Sequence, residues 1–184
     1  MTASFHIMQT FPSIKQTDIK NSFASIETRY APAGRYLFSL GRTLNLKSFT
    51  LNEETKVYYH MAGVFAANFI NASLFSSGVL LEKTGLTGRN HFNIYEPIIT
   101  TTIANIKENG PAALSGPVQR GDSVTIAKHL KSLNKLKTDE RKLLMQSYIA
   151  QSMILLEIIR GQEGKLNQGQ KEIKRMLAAA SKKI

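Results

Sequence analysis

Residues 58–72, YYHMAGVFAANFINA, set one imidazole and two carboxamides in an otherwise apolar stretch. At the roughly 100° per residue of an α-helix, His60, Val64, Ala67, Asn68 and Asn71 share one face. Buried groups of this kind need polar partners. Two readings are open. A core helix would hold a hydrogen-bonded histidine and its amides. A ligand-facing stripe would use His60 as proton donor or orienter and Asn68 to fix a carbonyl or hydroxyl. The small residues Ala62, Gly63, Ala66 and Ala67 would let another helix approach closely.

A second dense stretch is NGPAALSGPVQRGD, residues 109–122. Two Gly-Pro pairs force a rigid, non-helical path. Along it stand Ser115, Arg120 and Asp122. The stretch reads either as a tight connection in which Asp122 caps the following helix and pairs with Arg120, or as a loop closing on a ligand with Arg120 on an anionic group. A third stretch, FHIMQTFPS at 5–13, reads as a strand bringing His6, Gln9 and Thr10 toward a site.

Several chemistries find no signature. The chain has no cysteine, so neither a disulfide framework nor thiolate chemistry is available. The histidines at 6, 60, 91 and 129 lie far apart, and no HExxH occurs, so no metal site is expected. There is no GxSxG nucleophile elbow. No GxGxxG follows a strand; Gly34 and Gly41 fall in or near the end of a helix and build no phosphate-binding turn.

The elements that must position these residues fall into two textures. Residues 1–52 mix strands at 4–11, 22–27 and 46–51 with one helix at 31–44, in which Pro32 suits the first turn. Strand, helix, strand is the unit of a parallel sheet. From Glu53 onward the pattern is helical. A long helix runs over about 54–84 to Gly85, and others over 92–108, from Asp122 or Ser123 to 133, over 139–160 and over 168–181. Leu144, Tyr148, Met153, Leu156 and Ile159 are expected on the buried side of the fourth, with Gly161 and Gly164 breaking it. The domains expected are an α/β part at 1–52 and a helical part at 53–184.

Hydrophobic residues make up 42% of the 184, enough for a packed core. The net charge is +11, of which residues 165–184 carry +5, from six Lys/Arg against one Glu. A basic terminal helix fits that distribution better than a nucleic-acid groove, so no nucleic-acid partner is expected. The nearest approach to a membrane span, 62–81, is interrupted by Asn68, Asn71 and serines; no membrane is expected, and a cytoplasmic location is.

FHIMQTFPS, YYHMAGVFAANF and ENGPAALSGPVQRGD resemble, in this order, segments of a bacterial family of oxidoreductases. Its members have an N-terminal Rossmann-like NAD(P) domain and a helical C-terminal domain of unknown function, and are similar to pyrroline-5-carboxylate reductase. The resemblance covers about residues 4–176. It implies an α+β chain: a mainly α-helical, 6-phosphogluconate dehydrogenase-like C-terminal domain preceded by a partial parallel α/β Rossmann-like remnant. His6, Gln9 and Thr10 would then lie near the nicotinamide edge. His60 and Asn68 would be catalytic, on the helix that carries a Lys and an Asn in the related dehydrogenases. Ser115 and Arg120 would bind substrate. Ile7 and Ser115 depart from the Pro and Thr usual in the family. The glycine-rich unit is absent from the sequence, so NADP or NAD is expected in a complete member and none on this chain alone. The long apolar helix suggests a homodimer. Two functions stay open: the substrate-binding and dimerising part of an NAD(P)-dependent oxidoreductase acting on an imine, carbonyl or hydroxyl, or a non-catalytic helical dimerisation module.

Overall fold

The computed structural model describes residues 2–13, 16–86 and 92–184. His91 lies outside them. The fold is α+β, mainly helical with one small sheet. It divides into two compact units, Met1–Leu86 and Thr87–Ile184. The texture change at 52/53 and this division fall at different places, because the helix that begins at Glu53 packs with the sheet.

In the first unit the sheet has the order β1 (Ser4–Ile7), β2 (Phe23–Glu27), β3 (Lys47–Thr50). Strands β2 and β3 are parallel and joined by helix α1 (Ala31–Thr43), the strand–helix–strand unit expected from the sequence. Strand β1 adds antiparallel on the other side of β2. As the central strand, β2 is the most buried, with Ala24 and Ile26 at 1% exposure or less. Gly41 lets α1 sit close on β3, since a Cβ there would run into Ser48 Oγ. Strand β1 stops at Ile7, short of the span to residue 11. Met8 still donates to the Phe23 carbonyl at 2.8 Å, and then Gln9 N–H turns back to the Ile7 carbonyl at 2.9 Å. Gln9 and Thr10 therefore stand in a turn at the carboxyl end of β1.

Helix α2 (Glu53–Gly63) starts with a reciprocal cap between Asn52 and Thr55. It runs without a break through one π-turn, Val64–Asn68, into helix α3 (Phe69–Glu82). The 30-residue helix Glu53–Glu82 is long and apolar enough to cross a membrane by length and composition, with a mean hydropathy of 1.6 in its most apolar window. A window average tolerates the amides and serines that break any continuous apolar run.

The second unit comprises α4 (Phe92–Asn109), a 3₁₀ turn, α5 (Pro117–Arg120), α6 (Ser123–Leu133), α7 (Thr138–Glu163) and α8 (Gln168–Ser181). Its core gathers Val118, Ile126, Leu130, Leu144, Ile149, Leu156, Ile173 and Leu177. Helix α7 buries Leu144, Leu156 and Ile159 as the periodicity predicts. Met145, Ile149 and Ser152 complete that side, while Tyr148 and Met153 are half-buried. Gly161 does not break α7; Gly164, at φ 73°, ends it.

The Gly-Pro stretch knits this unit. Asp122 caps α6, accepting from Thr125 N–H at 3.0 Å and Thr125 Oγ at 2.6 Å. These two bonds hold its carboxyl below the usual carboxylate range against an opposing effect of burial, with lesser help from the charges of Arg120 and Lys128. Gly121, left-handed at φ 70°, faces Gly169 at the start of α8. Buried Gln170 donates from Nε2 to the Gln119 carbonyl at 2.8 Å and accepts from Asn167 N–H at 2.8 Å.

Candidate functional site

Helix α2 is tied to the sheet at two points. Lys56 Nζ meets Glu27 Oε2 at 2.7 Å, at the end of β2. Tyr59 Oη donates to the Phe23 carbonyl at 3.4 Å, and its ring stands edge-on to Phe49 with centroids 5.3 Å apart. Residue 60 follows directly, so the His60 ring comes to rest beside His6 of β1. Their centroids are 5.6 Å apart and their planes 64° apart. Tyr59 flanks His6 at the same centroid distance, 5.6 Å.

These residues open onto a hollow of about 350 Å³. Its polar lining is His6, Gln9, Thr10, His60 and Asn68; its apolar lining is Ile7, Met8, Val64, Ala66 and Ala67, with Gly63 between. All five of the first-unit candidates from the sequence thus line one cavity. His60, Asn68, Gln9 and Thr10 are exposed and His6 is half-buried, so the hollow is open to solvent. Gln9 is partly committed to its own turn, donating to the Asp18 carbonyl at 3.2 Å and accepting from Thr10 N–H at 2.9 Å. Asn71, placed on the same face by helical periodicity, is not among the lining residues. The π-turn explains this: Phe69 N–H reaches back five residues to the Val64 carbonyl, and the extra residue rotates everything beyond it. Such turns recur at functional sites. Gly63, read as an approach point for a helix, is approached instead by Met8, whose Sδ lies 2.7 Å from where a Cβ would stand. Lys56 and Tyr59 belong to the site's frame and were not singled out in the sequence; the one available signal was their position one turn or less before His60.

Burial, then the nearby His60 and Lys56, lower the pKa of His6 from 6.5. Between that lowered value and 6.5 the unfolded chain binds more protons than the folded one. Stability therefore rises as pH climbs through this window and falls as pH drops through it. Urea midpoints measured on both sides of 6.5 should show the slope, and His6→Gln should flatten it; an unchanged slope in the variant would place its source elsewhere.

Ser115 and Arg120 belong to the second unit, where both side chains are exposed. A wider hollow of about 590 Å³ in the first unit is lined by Glu27, Arg29, Glu53 and Lys56, whose charges are paired with one another. No group of three or more metal-ligating side chains occurs among the described residues. Neither of the strand-to-helix turns of the sheet fits a pyrophosphate. Pro32 removes an N–H from the first turn of α1 and Thr28 Oγ takes that of Tyr30 at 3.1 Å, while Asn52 already caps α2.

The small sheet and the long helix form an α+β fold that this chain shares with solved structures, one of them named a "putative NADP oxidoreductase". The chain belongs to the family described as domain of unknown function DUF2520, whose model matches residues 22–152. Among solved structures it is similar to the "putative NADP oxidoreductase BF3122" of Bacteroides fragilis, at 27% identity and a TM-score of 0.69, covering 83% of this chain and 56% of that one. It also shares its fold with protein TM1727 of Thermotoga maritima, at 22% identity and a TM-score of 0.64, covering 88% of this chain and 62% of that one. The chain thus spans less than two thirds of the length of either. No curated protein matches it.

Proposed function

We propose that this chain is the substrate-binding and dimerising part of an NAD(P)-dependent oxidoreductase that acts on an imine, carbonyl or hydroxyl, in the manner of pyrroline-5-carboxylate reductase. The observation that carries the proposal is the pairing of His6 and His60, with Asn68, on one open hollow in an oxidoreductase-like fold. In this reading the bound nucleotide supplies hydride chemistry and is held by a separate nucleotide-binding part, since neither turn described above suits it. His60 places a proton on the oxygen or nitrogen of the reacting bond, the role that histidine fills most often among side chains that act as general acids. Asn68 holds the substrate's polar group, and His6, Gln9 and Thr10 complete its surroundings. Ser115 and Arg120 are proposed as further substrate contacts, Arg120 for an anionic group. The location proposed is cytoplasmic. The test is oxidation of NADPH or NADH against a panel of small imines, ketones and their alcohols, in protein carrying the nucleotide-binding part. Turnover with one class supports the reading, and none with any class overturns it.

The partner proposed is a second copy of the chain. Val57, Tyr58, Met61, Phe65, Phe69, Ile70, Phe75 and Leu80 on the long helix are each 42–70% exposed. Eight such side chains offer apolar area on the order of the ~800 Å² per partner that a stable interface buries. Light scattering should give twice the 20.5 kDa chain mass, and Phe65→Asp with Phe69→Asp should halve it. A monomer at micromolar concentration would remove the idea. A dimer without turnover would favour the second reading, a dimerisation module without chemistry.

A further inference from the structure

We propose that Tyr59 is a positioning residue of this site: its ring, more than its hydroxyl, holds the His6 imidazole in the orientation that faces His60. The proposal deepens the reading of the hollow as a substrate site, and its kinetic arm rests on that reading. The first observation is a missing restraint. An imidazole that takes part in chemistry is commonly oriented by a hydrogen bond to its far nitrogen. Among the described residues no group bonds a ring nitrogen of His6 or His60, whereas His129 Nδ1 meets Tyr148 Oη at 2.9 Å. The ring nitrogens of both site histidines are therefore left for a ligand, and the rings need another restraint.

The second observation supplies it. Rings follow one another across the sheet, from Phe23 of β2 through Phe49 of β3, Tyr59 of α2 and His6 of β1 to His60 of α2. Successive centroids lie 6.3, 5.3, 5.6 and 5.6 Å apart, with planes at 71°, 77°, 85° and 64°. Edge-to-face pairs favour such distances and tilts. Tyr59 is the middle ring of the series and joins the phenylalanines of the sheet to the histidines of the hollow. Its hydroxyl contributes less, because 3.4 Å to the Phe23 carbonyl is long for an O–H···O bond. Lys56 and Glu27, at 2.7 Å, keep the helix on the sheet without that bond.

Tyr59→Phe and Tyr59→Leu separate the ring from the hydroxyl. NMR of the full chain follows the ring protons of His6 and His60, whose rings lie close enough for a mutual cross-peak. Tyr59→Phe should keep the cross-peak and the His6 shifts. Tyr59→Leu should lose the cross-peak and move the His6 signals toward those of free histidine. Where Tyr59→Leu fails to fold, Phe49→Leu removes the ring behind Tyr59 and should weaken the same cross-peak. In protein carrying the nucleotide-binding part, Tyr59→Leu should lower kcat by about tenfold to hundredfold and leave KM within about twofold, the mark of a misplaced group. Tyr59→Phe should restore the rate. Equal losses in the two variants assign the effect to the hydroxyl and overturn the proposal, as does a cross-peak that survives both Tyr59→Leu and Phe49→Leu. Wild-type protein without turnover sinks the oxidoreductase reading and leaves the ring signals to decide this inference. Turnover in wild type, with an unmoved His6 ring in Tyr59→Leu, does the reverse.

Discussion

Gly169→Ala should cost the chain about 3 kcal/mol of stability, a magnitude usual for forced overpacking and backbone strain. A Cβ at residue 169 would collide with the carbonyl oxygen of Gly121, with Gly121 Cα only 3.1 Å away. The carbonyl has little room to yield. Gly121 is itself left-handed and lies 2.8 Å, at its own missing Cβ, from Asn167 Oδ1. Moving α8 away would break the bond from buried Gln170 Nε2 to the Gln119 carbonyl. Gly161→Ala is the control: nothing lies within 4 Å of its Cβ position, and it sits inside α7. There the substitution should add stability, by about 0.5–1 kcal/mol, because alanine loses less backbone entropy in a helix. Urea unfolding followed by circular dichroism reads both. The same sign for the two variants would show that the Gly121–Gly169 contact does not hold the unit together.

His60→Ala should lower turnover by about 10²- to 10⁴-fold in protein carrying the nucleotide-binding part, the range for losing a general acid. Stability should change by no more than about 0.5 kcal/mol, since His60 is exposed. The pH profile carries the more specific signal. The limb that reports the acid should disappear in the variant, whereas Asn68→Ala should reduce the rate and keep that limb. A His60→Ala protein with full turnover and an unchanged profile would remove the proposed proton donor.

Much of this fold was legible in the sequence because its signals are local. Pro32 at a helix start, Asp122 before α6 and the 3.6-residue recurrence of apolar residues each act over one or two turns. The elements came out within a few residues of their ends. The departures have a common cause. Strand β1 stops at Ile7 because its partner β2 leaves it only one further hydrogen bond, to the Phe23 carbonyl, and a partner is not a property of residues 4–11 themselves. The long helix changes phase at Val64–Asn68 because a backbone hydrogen bond skips one residue there, and an ideal 100° wheel carries Asn71 onto a face it does not occupy. Gly161 continues α7 although the sequence pattern makes it a break, because the stop needs the left-handed conformation that Gly164 adopts.

The site divides in the same way. By itself the sequence determined which groups had chemistry to offer: His6, Gln9 and Thr10 near one strand end, His60 and Asn68 on one apolar helix. It also determined that no cysteine, metal motif or glycine-rich phosphate turn accompanies them. Only the tertiary structure decided that these groups meet. Residues 6 and 60 are far apart along the chain, and nothing in either stretch encodes their approach. They come together because Lys56 and Tyr59 fasten the helix to the ends of β2, which leaves His60 beside His6, while the π-turn carries Asn71 off the wall that Asn68 lines. Residue type is written locally; distance is set by long-range packing and hydrogen bonds, and those exist only once the sheet and the helix have docked.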